Sequence, residues 1–89
     1  LAKKKNWFAA YKYFSQALKA DPSSERSLIG VAESGFELQK YQESLDLYVK
    51  ACRLNRSYLH HLKKALQVLK AQKSKIWVPK YEVGIEKCG

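Results

Sequence analysis

Two segments of the chain repeat one another: WFAAYKYFSQALKAD (residues 7–21) aligns with YQESLDLYVKACRLN (residues 41–55) after a shift of 34 residues. In this alignment aromatic residues fall on aromatic residues, and small residues fall on small ones. The matched pairs are Trp7 with Tyr41, Ala10 with Ser44, Phe14 with Tyr48, Ala17 with Ala51, and Asp21 with Asn55. A period of 34 residues is typical of repeated helical hairpins, which stack because no hairpin covers its own apolar face.

A further helical pattern lies between the matched segments, in SLIGVAESGFELQK, residues 27–40. Apolar and small residues recur there at steps of three and four, as expected for one face of a helix. These residues are Leu28, Val31, Ala32, Gly35 and Leu38. The same pattern returns 34 residues later, with Leu62 in the place of Leu28. Between the first two helices, Pro22 ends one helix and Ser24 can cap the next. The patterns predict helices at about residues 7–20, 24–38, 41–54 and 58–72.

The predicted core follows from these helix faces. It consists of Phe14, Ala17, Leu28, Ala32, Tyr48, Ala51 and Leu62. Gly30 and Gly35 each cost about 1 kcal/mol relative to alanine in a helix interior. They therefore indicate a place where two helices approach closely.

The end of the chain, IWVPKYEVGIEKCG (residues 76–89), is open to two interpretations. Ile76, Trp77 and other strand-forming residues favour an extended segment. Alternatively, Tyr81 and Gly84 take the aromatic and small positions of a third trailing helix, with Pro79 in its first turn. We favour a degenerate helix that covers the open end of the stack.

The repeat resembles the tetratricopeptide repeat family. The resemblance implies an all-α fold, a right-handed stack of antiparallel helical hairpins, with about two and a half repeats and a C-terminal capping segment. It divides the single domain 1–89 into 1–22 (the end of a first repeat), 23–56 (a second repeat) and 57–89 (a degenerate third repeat or cap). Residues 1–6 then form the end of a helix and a turn. The chain departs from the family at Gln39 and Lys40, where a glycine is usual in the turn. We expect the chain to be a fragment of a longer protein.

The resemblance also implies a binding surface, because the leading helices of this family line a groove that holds a peptide or a partner's helix. The corresponding positions are Arg26, Ile29, Glu33, Phe36, His60, Lys63, Lys64, Gln67 and Lys70. One variant of the family grips the carboxylate of chaperone tails through lysine, asparagine and arginine side chains. That pattern is matched poorly here, because Gly30 replaces the asparagine, His60 replaces a lysine and only Lys64 has the required charge.

Charge is distributed unevenly along the chain, whose formal net charge is +9. Residues 53–89 contain 9 Lys or Arg against 2 Asp or Glu, a surplus of +7. Such a potential attracts acidic peptides, nucleic acid or anionic membranes. We expect a protein-interaction scaffold that binds an acidic peptide or an acidic segment of a partner protein. Binding of RNA or another polyanion through the basic C-terminal third is the alternative, and self-association is a further expectation for a fragment.

Residues suited to catalysis do not form a recognisable motif. There is no glycine-rich phosphate loop, no paired cysteine spacing for zinc and no nucleophile in a known frame with a histidine. His60 and His61 point about 100° apart on a helix and do not readily share a metal. We therefore expect no enzymatic activity, no cofactor and no metal.

The cysteines and the hydropathy give the remaining expectations. Cys52 lies on a helix at a position equivalent to Leu18, which favours a buried free thiol over a disulfide with Cys88. A free thiol favours a reducing compartment, so we expect a cytoplasmic location, with the nucleus as the alternative. No run approaches the ~18 apolar residues of a membrane span.

Overall fold

The computed structural model describes residues 6–88, and these form five α-helices and one short 3₁₀ turn. The helices are α1 (Trp7–Ala20), α2 (Glu25–Glu37), α3 (Tyr41–Leu54), α4 (Leu59–Ala71) and α5 (Trp77–Cys88), and the 3₁₀ turn is Arg56–Tyr58. Within residues 6–88 no segment is a strand. The four helices predicted from periodicity are confirmed to within one or two residues, and the end of the chain is a helix. The helix end and turn predicted for residues 1–6 lie almost entirely outside the described residues.

Side chains at the helix termini explain several of these boundaries. The Asn6 side chain accepts a hydrogen bond from the Ala9 amide at 3.0 Å, and the Ser24 hydroxyl accepts one from the Ser27 amide at 3.3 Å. Both bonds satisfy amides that have no partner within the helix. Helix α2 ends where Gln39 adopts a left-handed backbone with φ of 67°, and the Lys40 amide bonds back to the Gly35 carbonyl at 2.8 Å. The turn without the usual glycine therefore closes as a left-handed C-cap.

Consecutive helices pack against one another, and α5 then folds back over both α3 and α4. The core lies between α2, α3, α4 and α5. Of the predicted core residues, Leu28, Ala32, Tyr48, Ala51 and Leu62 are buried. Phe14 and Ala17 are only half-buried, because α1 packs mainly on one other helix, α2. No residue of α1 is fully buried.

Two glycines allow close approach of helices. A Cβ atom on Gly30 would overlap the Phe14 ring, so α1 reaches α2 only because this position has no side chain. A Cβ on Gly84 would lie 2.6 Å from Leu45 Cδ1, which likewise lets α5 sit close to α3. Contacts of this kind account for Gly30 and Gly84 in helix interiors, where glycine is otherwise costly. A Cβ on Gly35 would lie 3.6 Å from the Tyr11 ring, an ordinary contact distance, so the close approach predicted at Gly35 is not seen.

Tyr81 attaches α5 to the core. Its side chain is fully buried, its ring centroid lies 6.1 Å from that of Phe36, and its hydroxyl donates a hydrogen bond to the Tyr41 carbonyl at 2.9 Å. One turn earlier, the Trp77 ring packs on Tyr41 with 5.7 Å between centroids. Helix α5 thus covers the end of the helical stack with aromatic side chains.

Burial raises the pKa of Tyr81 from 10.0 to about 12, and burial also raises the pKa of Tyr48. The pKa of Tyr81 is higher in the folded protein than in the unfolded chain. The contribution of the neutral tyrosine to folding stability is therefore fully present below about pH 10 and is lost as the pH rises through 12. We therefore expect urea unfolding midpoints to fall between pH 10 and 12. The midpoint of Tyr81→Phe should fall less steeply with pH than that of the parent protein. Tyr13 is 69% exposed, so the midpoint of Tyr13→Phe should change with pH as the parent's does. Identical alkaline slopes for all three proteins would contradict this assignment.

The two cysteines form a disulfide, with Cα atoms of Cys52 and Cys88 5.7 Å apart, a separation usual for this bond. The prediction of a free Cys52 thiol is therefore wrong, and it no longer supports a reducing compartment. The cause is tertiary: α5 returns along α3 and brings together residues that are 36 positions apart. The cytoplasmic location stays a prediction. None of the described helices has the length and apolar character needed to cross a bilayer.

Candidate functional site

A cavity of about 300 Å³ opens between α2 and α4. Its lining residues are Trp7, Glu33, Phe36, Glu37, Tyr48, His60, His61, Lys64, Ala65 and Val68. We call this surface the α2–α4 groove. It brings together four of the nine residues predicted for binding, namely Glu33, Phe36, His60 and Lys64.

The two walls of the groove carry opposite charge. Helix α2 contributes the carboxylates of Glu33 and Glu37, and α4 contributes Lys64 with His60 and His61. The walls meet where His61 Nδ1 lies 3.2 Å from Glu33 Oε2, a pair that is ionic when the histidine is protonated. A ligand in the groove therefore meets an acidic wall on one side and a basic wall on the other.

The floor of the groove is aromatic and aliphatic. Phe36 and Tyr48 are buried there, and Ala65 and Val68 line the same cavity from α4. Burial is the main cause that raises the pKa of Tyr48, and the nearby carboxylates of Glu33 and Glu37 raise it further. The Tyr48 hydroxyl thus stays neutral, and the floor offers an apolar surface without a charge of its own.

The other predicted binding residues lie away from this cavity. Ile29 is buried in the core, with 9% of its surface exposed. Arg26, Lys63 and Gln67 are exposed but do not line the groove. Lys70 lies near the α4–α5 connection, where its Nζ is 4.0 Å from Glu82 Oε2.

Helix rotation explains why the predicted stripe on α4 divides. Residues turn by about 100° each on a helix, so Lys63 lies roughly 140° from Val68, which lines the groove. The groove side is formed instead by four-residue steps, from His60 to Lys64 to Val68 and from His61 to Ala65. His61 and Val68 were thus missed, although a four-residue step from Lys64 and Ala65 would have found them. On α2 a four-residue step from Glu33 likewise reaches Glu37. Trp7 and Tyr48 come from α1 and α3, and no local pattern places them here.

Aromatic side chains near the basic C-terminal third do not form an open stacking platform. Tyr81 is fully buried, and Trp77 is half-buried against Tyr41, with Lys80 Nζ 4.9 Å from its ring centroid. Single-stranded nucleic acid binding commonly relies on exposed rings beside cations. These two side chains therefore add little support for RNA binding.

The titratable side chains of the described chain do not converge on a metal site. Within residues 6–88, no three His, Cys, Asp or Glu residues are grouped so that they could hold an ion. His60 Nδ1 lies 2.6 Å from the Ser57 carbonyl, and its ring centroid is 4.2 Å from that of His61. The local partners of His60 and His61 thus include a carbonyl, a carboxylate, the Tyr58 ring and one another.

Comparison with known proteins gives no relative for this arrangement: neither a protein-family model, nor a curated protein, nor a solved structure matches the chain.

Proposed function

We propose that this chain is a protein-interaction module of the tetratricopeptide-like kind, which binds a peptide or a segment of a partner protein in the α2–α4 groove. The 34-residue internal repeat and the packing of consecutive helices support the tetratricopeptide-like architecture. The observation that carries the binding proposal is the groove itself, with an apolar floor between two walls of opposite charge. Such a combination of apolar contact and a few placed polar groups is usual for recognition sites.

The groove geometry orients an acidic ligand. Its carboxylates pair with Lys64 and His60 on the α4 wall, because Glu33 and Glu37 repel them from the α2 wall. Apolar side chains of the ligand contact Phe36 and Val68. Exposed charge pairs contribute only about 0.2–1 kcal/mol each. The apolar contact therefore supplies most of the affinity, and the charged walls set the orientation of the bound peptide.

Two neighbouring lysines on α4 provide a matched test. We expect a random peptide library to yield binders with acidic residues next to an apolar one. For such a peptide, Lys64→Glu should weaken binding at least fivefold, since it places a like charge on the basic wall. Lys63→Glu makes the same change of net charge one residue away, outside the groove, and should weaken binding less than twofold.

The matched pair also shows how the proposal fails. Equal loss in both variants would show that only the overall charge matters, and no loss in either would place the peptide elsewhere. RNA or polyanion binding is the second candidate, favoured by the surplus of +7 in residues 53–89. Single-stranded RNA that binds the protein tightly, while no peptide is selected, would replace the groove proposal.

A further inference from the structure

A second surface lies outside the groove, at the connection between α4 and α5. There a shallow depression of about 410 Å³ is lined by Lys70, Lys73, Ser74, Lys75, Val78 and Pro79. Ile76, in the same connection, leaves 65% of its surface exposed. We call this surface the lysine-ringed turn.

The positive charge of the turn is largely uncompensated. Lys70 has one weak ion pair, at 4.0 Å from Glu82, and both side chains of that pair are half exposed. Among the described residues, no carboxylate forms an ion pair with Lys73 or Lys75. The connection thus combines lysines that lack a strong ion pair with an exposed apolar side chain, Ile76.

The backbone of the turn is held in place. Lys73 adopts a left-handed conformation with φ of 58°, and the Ser74 amide donates to the Leu69 carbonyl at 3.1 Å. The Ser74 hydroxyl then accepts from the Trp77 amide at 3.2 Å and caps α5, whose first residue packs on Tyr41. Ile76 is therefore displayed between two anchored helix ends, and its exposure does not require a helix to open.

We propose that the lysine-ringed turn docks on an anionic membrane surface, with Ile76 entering the interface and the lysines of the turn contacting lipid headgroups. A bilayer supplies both a continuous negative surface and an apolar layer beneath it, which match a turn that has several lysines and one exposed apolar residue. A peptide pocket such as the α2–α4 groove has opposing walls, and the turn has none. The contact is peripheral, and it is independent of the peptide proposed for the groove.

Each lysine close to an anionic bilayer raises the binding constant by about fivefold, which corresponds to ~1 kcal/mol. Three lysines together with one partly inserted isoleucine give reversible binding that weakens as salt rises. Loss of the charges of Lys73 and Lys75 should therefore weaken binding by about 30-fold.

Sedimentation with lipid vesicles tests the proposal. We expect the protein to bind vesicles that contain phosphatidylserine and to leave pure phosphatidylcholine vesicles unbound. The double variant Lys73→Gln, Lys75→Gln should show the 30-fold loss of vesicle affinity. The control, Lys12→Gln with Lys19→Gln, makes the same charge change on α1 and should lose less than about threefold. Circular dichroism melts confirm that these exposed substitutions leave the fold intact. Equal losses in the two double variants, or equal binding to both kinds of vesicle, would overturn the proposal.

Ile76 distinguishes a bilayer from a soluble polyanion. Ile76→Ser should weaken vesicle binding about fivefold, because the partly inserted side chain loses its apolar contact. Binding to polyglutamate in solution should not change with this substitution. Membrane docking would be refuted if Ile76→Ser left vesicle binding unchanged, or if polyglutamate bound more tightly than the vesicles. Either result would identify the turn as a site for acidic polymers.

Discussion

Tyr81→Ala is expected to lower the free energy of unfolding by about 3–5 kcal/mol, the usual cost of removing a large buried aromatic side chain. Tyr81 is fully buried, contacts Phe36 and donates a hydrogen bond to the Tyr41 carbonyl. The substitution therefore leaves a cavity and removes a hydrogen bond. Domains of this size have roughly 5–15 kcal/mol of stability in total, so the loss should be visible in a urea titration.

Val83 on the same helix supplies the control. It is 48% exposed, and Val83→Ala should cost less than about 1 kcal/mol. Truncation after Lys75 extends the test, because removal of α5 uncovers the Leu45 and Tyr41 surfaces on which it packs. Because the truncation also removes Cys88, the comparison is made with the parent under a thiol reductant, and the truncated chain should be less stable than that reduced parent or should self-associate. A truncated chain that is monomeric and as stable as the reduced parent would show that α5 is not a cap.

Reduction of the Cys52–Cys88 disulfide should cost about 4 kcal/mol, as expected for a cross-link between residues that are 36 positions apart. The bond joins the end of α5 to α3 and thereby limits the conformations of the unfolded chain between them. Urea titrations with and without a thiol reductant measure the difference directly.

The matched control is the double variant Cys52→Ser, Cys88→Ser. It should unfold at the midpoint of the reduced parent, and the reductant should not change its stability. Mass spectrometry of the unreduced parent after alkylation counts its thiols. Two alkylated cysteines, together with a midpoint that does not respond to reductant, would contradict the disulfide.

The family resemblance predicted part of the lining of the α2–α4 groove but not which side of α4 faces it. The resemblance led to Glu33, Phe36, His60 and Lys64, which do line one groove, yet it also led to Ile29, which is buried in the core. A period of three or four shows which residues share a helix face, but it does not show which face is turned towards a neighbouring helix. The rotation of α4 decides that Lys64 lines the groove and Lys63 does not.

The sequence by itself determined the helices, their boundaries and part of the core, because apolar periodicity, the cap at Ser24 and the stop at Pro22 act within a few residues. It also favoured a helix at the end of the chain, which the structure confirms. Only the tertiary structure decided that α5 returns over α3 and α4, that Cys52 meets Cys88, and that carboxylates of α2 line the same groove as Lys64 and two histidines of α4. These contacts join residues far apart in the chain, and their formation depends on the path of the whole backbone, which no local spacing specifies.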